Sequence, residues 1–498
     1  MEEDSVNFHP SLFWPTVEIT SENILDQYTV NSVRVTITTD GRYLISEPQL
    51  DDEGNKIYQK LMSDGYEAIA PGKDNDDPLS MESRAASLDL LRGHIWDAAK
   101  NLGITEKITR SYQTIEYILK RDILGYGILD VLMKDDNIED ISVESFENDV
   151  GIVHRKYSNK RYPILDSNVR FASLEDMEKF IQKITLASNK SINIGKPIVH
   201  IRSPEGHRLT LTLGEISLHG PTISIRKFSK SYNIVDLLKS ETITPLQAAY
   251  LWILLEHKAF GIVIGGTGAG KTSTINALSG LTHPKWILLT VEDTPELQIP
   301  HKRWKPLVTK EGITTNSENA IGTGELVEVS LRMRPDFVIV GEVRGPTETK
   351  SLFDIAATGH GGLSSFHANS PEEVILRLTG RIGLEETQLA LLWFSLHITK
   401  IPRENKIIRK VLTLDEYVPE QGKVGVRNIF KYNVGTDTYN IDTIEQVIEK
   451  SWRLQTLVNE QGIDLKQELE KRVKLLEECV ENDITDIQQI FQKLSVVY

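Results

Sequence analysis

The sequence predicts an α/β protein in which an N-terminal α+β domain precedes a larger domain built on a mostly parallel sheet, followed by a helical C-terminal extension. Three observations carry this. Short apolar runs at 261–264, 286–291, 336–340, 363–366 and 395–399 alternate with helix-competent stretches. Upstream, apolar residues at helical spacing mingle with runs of strict alternation. Beyond residue 440 the apolar residues keep a helical period, with Glu and Lys outside the stripe.

The elements follow in order. Residues 1–104 form an N-terminal region with β-like runs such as Val33–Ile37 and a turn-rich loop at 72–78. Leu88, Leu91, Ile95 and Ala98 then mark one helix face. Residues 105–227 read as a compact α+β domain. Ile108, Tyr112, Ile115 and Leu119 give one core-facing stripe, and Leu174, Met177, Ile181 and Ile184 another. Strands follow at 198–202, 208–213 and 222–226. Residues 228–233 read as a hinge linker, 234–440 as the parallel-sheet domain, and 441–498 as the helical extension. Leu465, Leu469, Val473, Leu476 and Val480 make its apolar stripe, read as a helix packed on the preceding domain, with a partner-binding or coiled-coil segment as the alternative.

Length and composition bound the function. The 498 residues allow two or three domains, and 40% hydrophobic content is ample for more than one core. A net charge of −15 argues against a general nucleic-acid-coating surface and leaves a local basic channel open. The single cysteine, Cys479, excludes an intrachain disulfide and a cysteine-based zinc site. The acidic start at residues 1–5 lacks the basic and apolar parts of a secretory signal. No run approaches the roughly 20 apolar residues of a membrane span. A soluble protein is therefore expected, with any membrane contact peripheral or through a partner.

The chemistry begins at Gly265-Gly266-Thr267-Gly268-Ala269-Gly270-Lys271-Thr272, a full match to G-x-x-x-x-G-K-[ST] between an apolar strand and a helix-competent stretch. Glycines let backbone N–H groups wrap a phosphate, and the helix N-terminus adds positive potential. Residues 265–272 and Ser273 are the expected nucleotide contacts, with Lys271 on the β- and γ-phosphates and the Thr272 hydroxyl on Mg²⁺. A second strand ends in Glu292-Asp293-Thr294-Pro295-Glu296, placing carboxylates where they can polarise a water. A third leads through Val338-Ile339-Val340 to Gly341-Glu342, a terminal carboxylate suited to Mg²⁺ or water. His360 and His367 flank a short strand, read as a γ-phosphate contact or network hydrogen bond rather than a metal site.

Taken together, GGTGAGKT, VEDTPE, RMRPDFVIVGEVR and TGHGGLSSFHA, in that order across 261–377, resemble the secretion-superfamily ATPases of type II and type IV secretion, type IV pili and the archaellum, and look most like archaeal members. The resemblance implies a RecA-like ATPase domain, a homohexameric ring, and ATP held between the N-terminal and RecA-like domains. It implies ATP and Mg²⁺ as cofactors, with Thr272 and Glu342 at the metal. Glu296 matches the catalytic base, supported by Glu292 and Asp293. Glu342 matches the Walker B carboxylate, His360 and His367 the His-box histidines, and Arg377 follows at similar spacing. Arg202, Arg208 and Arg226 look like arginines that reach phosphates. The implied partners are a polytopic membrane platform protein and a filament or secretion machinery, with no direct nucleic acid. The implied location is cytoplasmic, at the inner face of the cell membrane. The runner-up readings are a conjugative DNA-transfer ATPase and a nucleotide-gated assembly scaffold. The tetracysteine module of many relatives is absent, since Cys479 stands alone.

Overall fold

The computed structural model describes residues 11–12, 20–63, 81–158, 161–228, 232–310, 321–343, 345–403 and 406–498. The loop read at 72–78, residues 1–5, Arg344 and residues 229–231 of the hinge lie outside these. Two compact units, residues 1–229 and 230–498, are described separately below.

In the first unit a two-stranded ribbon pairs β1 (Ser11–Leu12) with β8 (Val169–Arg170). A larger sheet takes β2 (Ile24–Val30), β3 (Val33–Thr38), β4 (Arg42–Ser46), β5 (Ile138–Val143), β6 (Gly151–His154), β7 (Leu165–Ser167), β9 (Ile198–Arg202), β10 (Arg208–Thr212) and β11 (Thr222–Arg226). Their order is β2-β3-β4-β7-β6-β5-β11-β10-β9, antiparallel except between β4 and β7. The early β-like run thus joins the same sheet as the strands near 200–226. The alternation in β10 places Leu209 and Leu211 inward, with Met177, Ile181 and Ile184 of helix Leu174–Ala187 in the same core. Leu91, Ile95 and Ala98 pack with Ile115 and Leu119 in a smaller helical cluster.

Polar groups inside this unit are matched. The Asp135 carboxylate accepts from the hydroxyls of Tyr28 (2.6 Å) and Tyr43 (2.7 Å), and Lys227 Nζ donates to the Leu132 carbonyl at 3.0 Å. Burial holds His154 and His207 neutral, pushing each down to about 4.

In the second unit, β12 (Phe260–Ile264), β13 (Leu288–Glu292), β15 (Phe337–Val340), β16 (Gly361–Phe366) and β17 (Phe394–Arg403) occupy the five expected positions. They are joined by β14 (Trp304–Val308), β18 (Lys406–Glu420), β19 (Lys423–Asn433) and β20 (Thr438–Tyr439). The order is β14-β13-β15-β16-β12-β17-β18-β19-β20, parallel from β14 to β17 and antiparallel beyond. Counted along the chain, the five expected strands lie 2-3-4-1-5, the RecA-like arrangement. Buried on both faces, β12, β13 and β15 read as continuous apolar runs. Gly261 lets the Phe394 ring cross β12: a Cβ there would lie 2.2 Å from the ring.

The C-terminal helices pack on this unit, as the capping reading requires. Leu465, Leu469, Leu476 and Cys479 of helix Leu465–Glu481 share a core with Tyr250 and Trp252 of helix Pro245–Glu256. One buried carboxylate ties the extension to the sheet. Glu416 of β18 accepts from the Tyr250 hydroxyl at 2.6 Å, from the Ser451 hydroxyl, and from the backbone N–H groups of Trp452 (2.9 Å) and Arg453 (3.2 Å). Among the described residues, no helix is long and apolar enough to cross a membrane.

Replacing Glu416 by Leu strands the N-terminus of helix Trp452–Gln461 and a buried tyrosine hydroxyl, and lowers stability by about 3 kcal/mol, read by urea unfolding. Between pH 6.5 and about 4 the folded first unit binds fewer protons at His154 and His207 than the unfolded chain does, so stability falls as pH drops through that window. Each histidine contributes up to about 1.4 kcal/mol per pH unit, and His207→Asn flattens the slope measured by denaturation at stepped pH.

Candidate functional site

The site gathers at the carboxyl ends of β12, β13, β15 and β16, where an open α/β sheet leaves its strand ends exposed. Strand β12 delivers the chain into the loop 265–270. Gly265, Gly268 and Gly270 hold φ of +148°, +67° and +103°, a path that L side chains avoid. A Cβ on Gly265 would lie 2.2 Å from the carbonyl oxygen of Ile398, so the loop can pass over β17 only as glycine. Helix Lys271–Ser279 begins at once, with Gly270 as an N-cap that offers no side-chain acceptor and no acid in the first turn. Its leading N–H groups and dipole favour an anion.

Lys271 Nζ donates to the carbonyls of Gly265 (3.0 Å) and Gly266 (3.1 Å). Burial lowers its pKa and the charge on Glu342 raises it, so the two residues feel each other across the site. Thr272 and Ser273 are half-buried on the first turn.

The acidic groups divide into two settings. Glu292 is buried at 3% exposure, and its Oε1 accepts the N–H groups of Glu296 (2.8 Å) and Leu297 (3.1 Å). It therefore shapes the turn that presents Glu296, whose side chain is exposed. Asp293 accepts from the Thr323 hydroxyl at 2.9 Å. Glu342 stands just past β15 and meets His367 Nε2 at 2.6 Å. The backbone beside it is fixed from both sides: Gly341 N–H donates to the Val291 carbonyl at 2.9 Å, and the Ser365 hydroxyl donates to the Gly341 carbonyl at 2.6 Å. The ends of β13, β15 and β16 are thereby locked together.

His360 Nδ1 lies 2.8 Å from the Thr358 hydroxyl. Arg377 pairs with Glu373 at 2.6 Å, and Glu373 accepts the Asn369 N–H at 2.7 Å. In the first unit, Arg202, Arg208 and Arg226 stand in one row, Arg208 being registered opposite both of the others, and Arg226 Nε bonds Asp140 at 3.0 Å. Ser365 and Asn276 were not anticipated. Asn276 Oδ1 accepts the Gln298 N–H at 2.7 Å, fastening the acidic turn to the loop's helix. The serine's only sequence signal was its place in the SSFH run.

Thr272 supplies a hydroxyl and Glu342 a carboxylate, the oxygen donors suited to Mg²⁺, an ion that takes one or two protein oxygens and fills its octahedron with water and phosphate.

Comparison with known proteins identifies the family. The type II/IV secretion system protein family matches residues 134–401, just over half of the chain. An uncharacterized protein of Methanocaldococcus jannaschii is 28% identical over 478 residues, covering 91% of this chain and 84% of the relative. The conjugal transfer protein TrbB of Rhizobium radiobacter is 28% identical over 207 residues, 40% of this chain and 61% of that protein's length. The X-ray structure of the Legionella pneumophila ATPase DotB aligns at 16% identity over 74% of this chain and 95% of its own, with a TM-score of 0.42. The chain belongs to the family of type II/IV secretion system proteins.

Proposed function

We propose that this protein is a Mg²⁺-dependent ATPase that works as a homohexameric ring at the inner face of the cell membrane, driving a platform protein so that pilin-like subunits assemble or cargo is secreted. One observation carries the chemistry: a buried lysine at a glycine loop, held by two carbonyls, sits within electrostatic reach of a carboxylate that a histidine contacts at 2.6 Å.

The backbone N–H groups of 266–272 enclose the β-phosphate, and Lys271 moves from its carbonyl partners onto β- and γ-oxygens. That exchange relieves the desolvation that lowers its pKa, because phosphate supplies the missing negative charge. Mg²⁺, held through Thr272 and Glu342, would neutralise charge between the β- and γ-phosphates. Glu296 orients and deprotonates the attacking water, and Glu292 positions its turn. His367 keeps the Glu342 carboxylate in one orientation. Arg208 and Arg226 are assigned to the charge that develops in the transition state.

A second reading, ATP-driven DNA transfer, draws support from the conjugal transfer relative. The net charge of −15 weighs against it. Added DNA separates the two, since it stimulates turnover only under the transfer reading.

Steady-state phosphate release combined with light scattering tests the proposal. Lys271→Ala loses roughly 10²–10³-fold in kcat, and Glu296→Gln abolishes turnover while still forming a nucleotide-promoted hexamer. A monomer that hydrolyses ATP equally well in wild type and Glu296→Gln overturns both the ring and the base. His367→Ala lowers kcat roughly 10–100-fold with ATP affinity nearly unchanged, as loss of an orienting partner should. An equal fall in affinity assigns His367 to binding instead.

A further inference from the structure

We infer that Lys400 and Arg409, on the β17–β18 hairpin, form a second phosphate-binding element that holds the diphosphate common to nucleoside tri- and diphosphates. The inference rests on the nucleotide reading of the glycine loop and adds two residues that no sequence motif marks.

Three observations converge. The first is proximity. A Cβ built on Gly268 would lie 2.8 Å from Lys400 Nζ, and one on Gly270 would lie 3.4 Å from Arg409 Cδ and 3.7 Å from Nε. Both cations therefore border the stretch of loop whose amides face phosphate. The second is an unrelieved cost. Lys400 and Arg409 are registered opposite each other across the antiparallel pair, and like charges so placed destabilise a sheet. Among the described residues neither has an acidic partner, and the buried Nε of Arg409 has no hydrogen-bond acceptor. A buried donor left unmatched is expensive, so the pair is built to receive an anion. The third is the backbone. The register of β17 against β18 shifts between His397 and Ile398, immediately before the strand passes under the loop. Irregularities of this kind re-aim side chains beside active sites.

The sheet order selects the phosphates. Strand β17 lies on one side of β12, whereas β16 and β15, carrying His367 and Glu342, lie on the other. The γ-phosphate belongs on the carboxylate side, where Mg²⁺ and water act. The cationic side is left to the α- and β-phosphates. Binding to this pair is then equal for ATP and ADP and makes no demand on the reacting atoms.

Isothermal titration of the full chain with ATP, ADP and inorganic pyrophosphate tests this, alongside saturated kcat. Lys400→Ala and Arg409→Met are each expected to weaken ATP and ADP binding about ten-fold and equally, weaken pyrophosphate too, and change kcat less than three-fold. The methionine keeps the stem that packs on Gly270, and Arg409→Lys restores most of the affinity. Lys400 is exposed, so its variant retains the fold. Unchanged ADP and pyrophosphate affinity in both variants overturns the inference. A fall in kcat with ADP binding intact also overturns it, by moving the pair to the γ-phosphate. Lys271→Ala binding ADP like wild type sinks the glycine-loop reading instead, independently of the hairpin.

Discussion

The second unit depends on one close approach, the passage of the loop 265–270 over the carbonyl of Ile398. Because a Cβ at Gly265 would lie 2.2 Å from that oxygen, the loop, the helix at Lys271 and strand β17 have a single way to fit. Their geometry fixes the rest. The open N-terminus of the helix creates the positive end of the site, and the parallel order brings the ends of β13, β15 and β16 to face it. The hydrogen bonds from Gly341 to Val291 and from Ser365 to Gly341 then hold the acidic side as one rigid edge. Precision at the carboxylates is thus a property of neighbouring backbones before it is a property of the acids.

Much of this was legible in the residues. The five apolar runs from 261 to 399 are buried on both faces, and buried parallel strands leave a continuous hydrophobic signature. The phosphate loop was legible because its glycines answer a backbone demand that no other residue meets. The helical stripe at 465–480 was legible because its apolar period is long, and Leu465, Leu469 and Leu476 are buried as that period requires. Lys271 was marked by the glycine loop, and Glu342 and His367 by their places after strands, whereas the contact between His367 and Glu342 was not anticipated.

What was not legible lies at edges and in pairings. Strand β14 carries Lys305 and Pro306 and is largely exposed, which suits an edge strand and erases the apolar signature. The hairpin of β18 and β19 mixes charged residues into both faces, so neither period emerges. Strands β2 to β4 looked like isolated pieces because the sheet that receives them is completed by β7, more than a hundred residues downstream. Ser365 is one of two adjacent serines in an apolar strand, and only the register shows which carbonyl it serves. Nor does one-dimensional order reveal that three arginines in the first unit share a row.

Electrostatics explains why an acidic chain can carry an anion site. The net charge of −15 is a sum over the whole chain, and water and salt screen exposed charges from one another within about 10 Å. At the loop the screening is weaker, since Lys271 is buried and its hydrogen-bond partners are two carbonyls, which carry dipoles and no net charge. The ammonium is therefore solvated by the loop assigned above to phosphate. Filling the site replaces two neutral acceptors with charged ones and returns the Gly265 and Gly266 carbonyls to water or to the loop's own turn. The resting contact keeps Lys271 from being an orphan while remaining weaker than the contact that displaces it, because a phosphate oxygen adds Coulomb attraction that a neutral carbonyl lacks. The lysine's own arrangement thus favours occupancy before any chemistry begins.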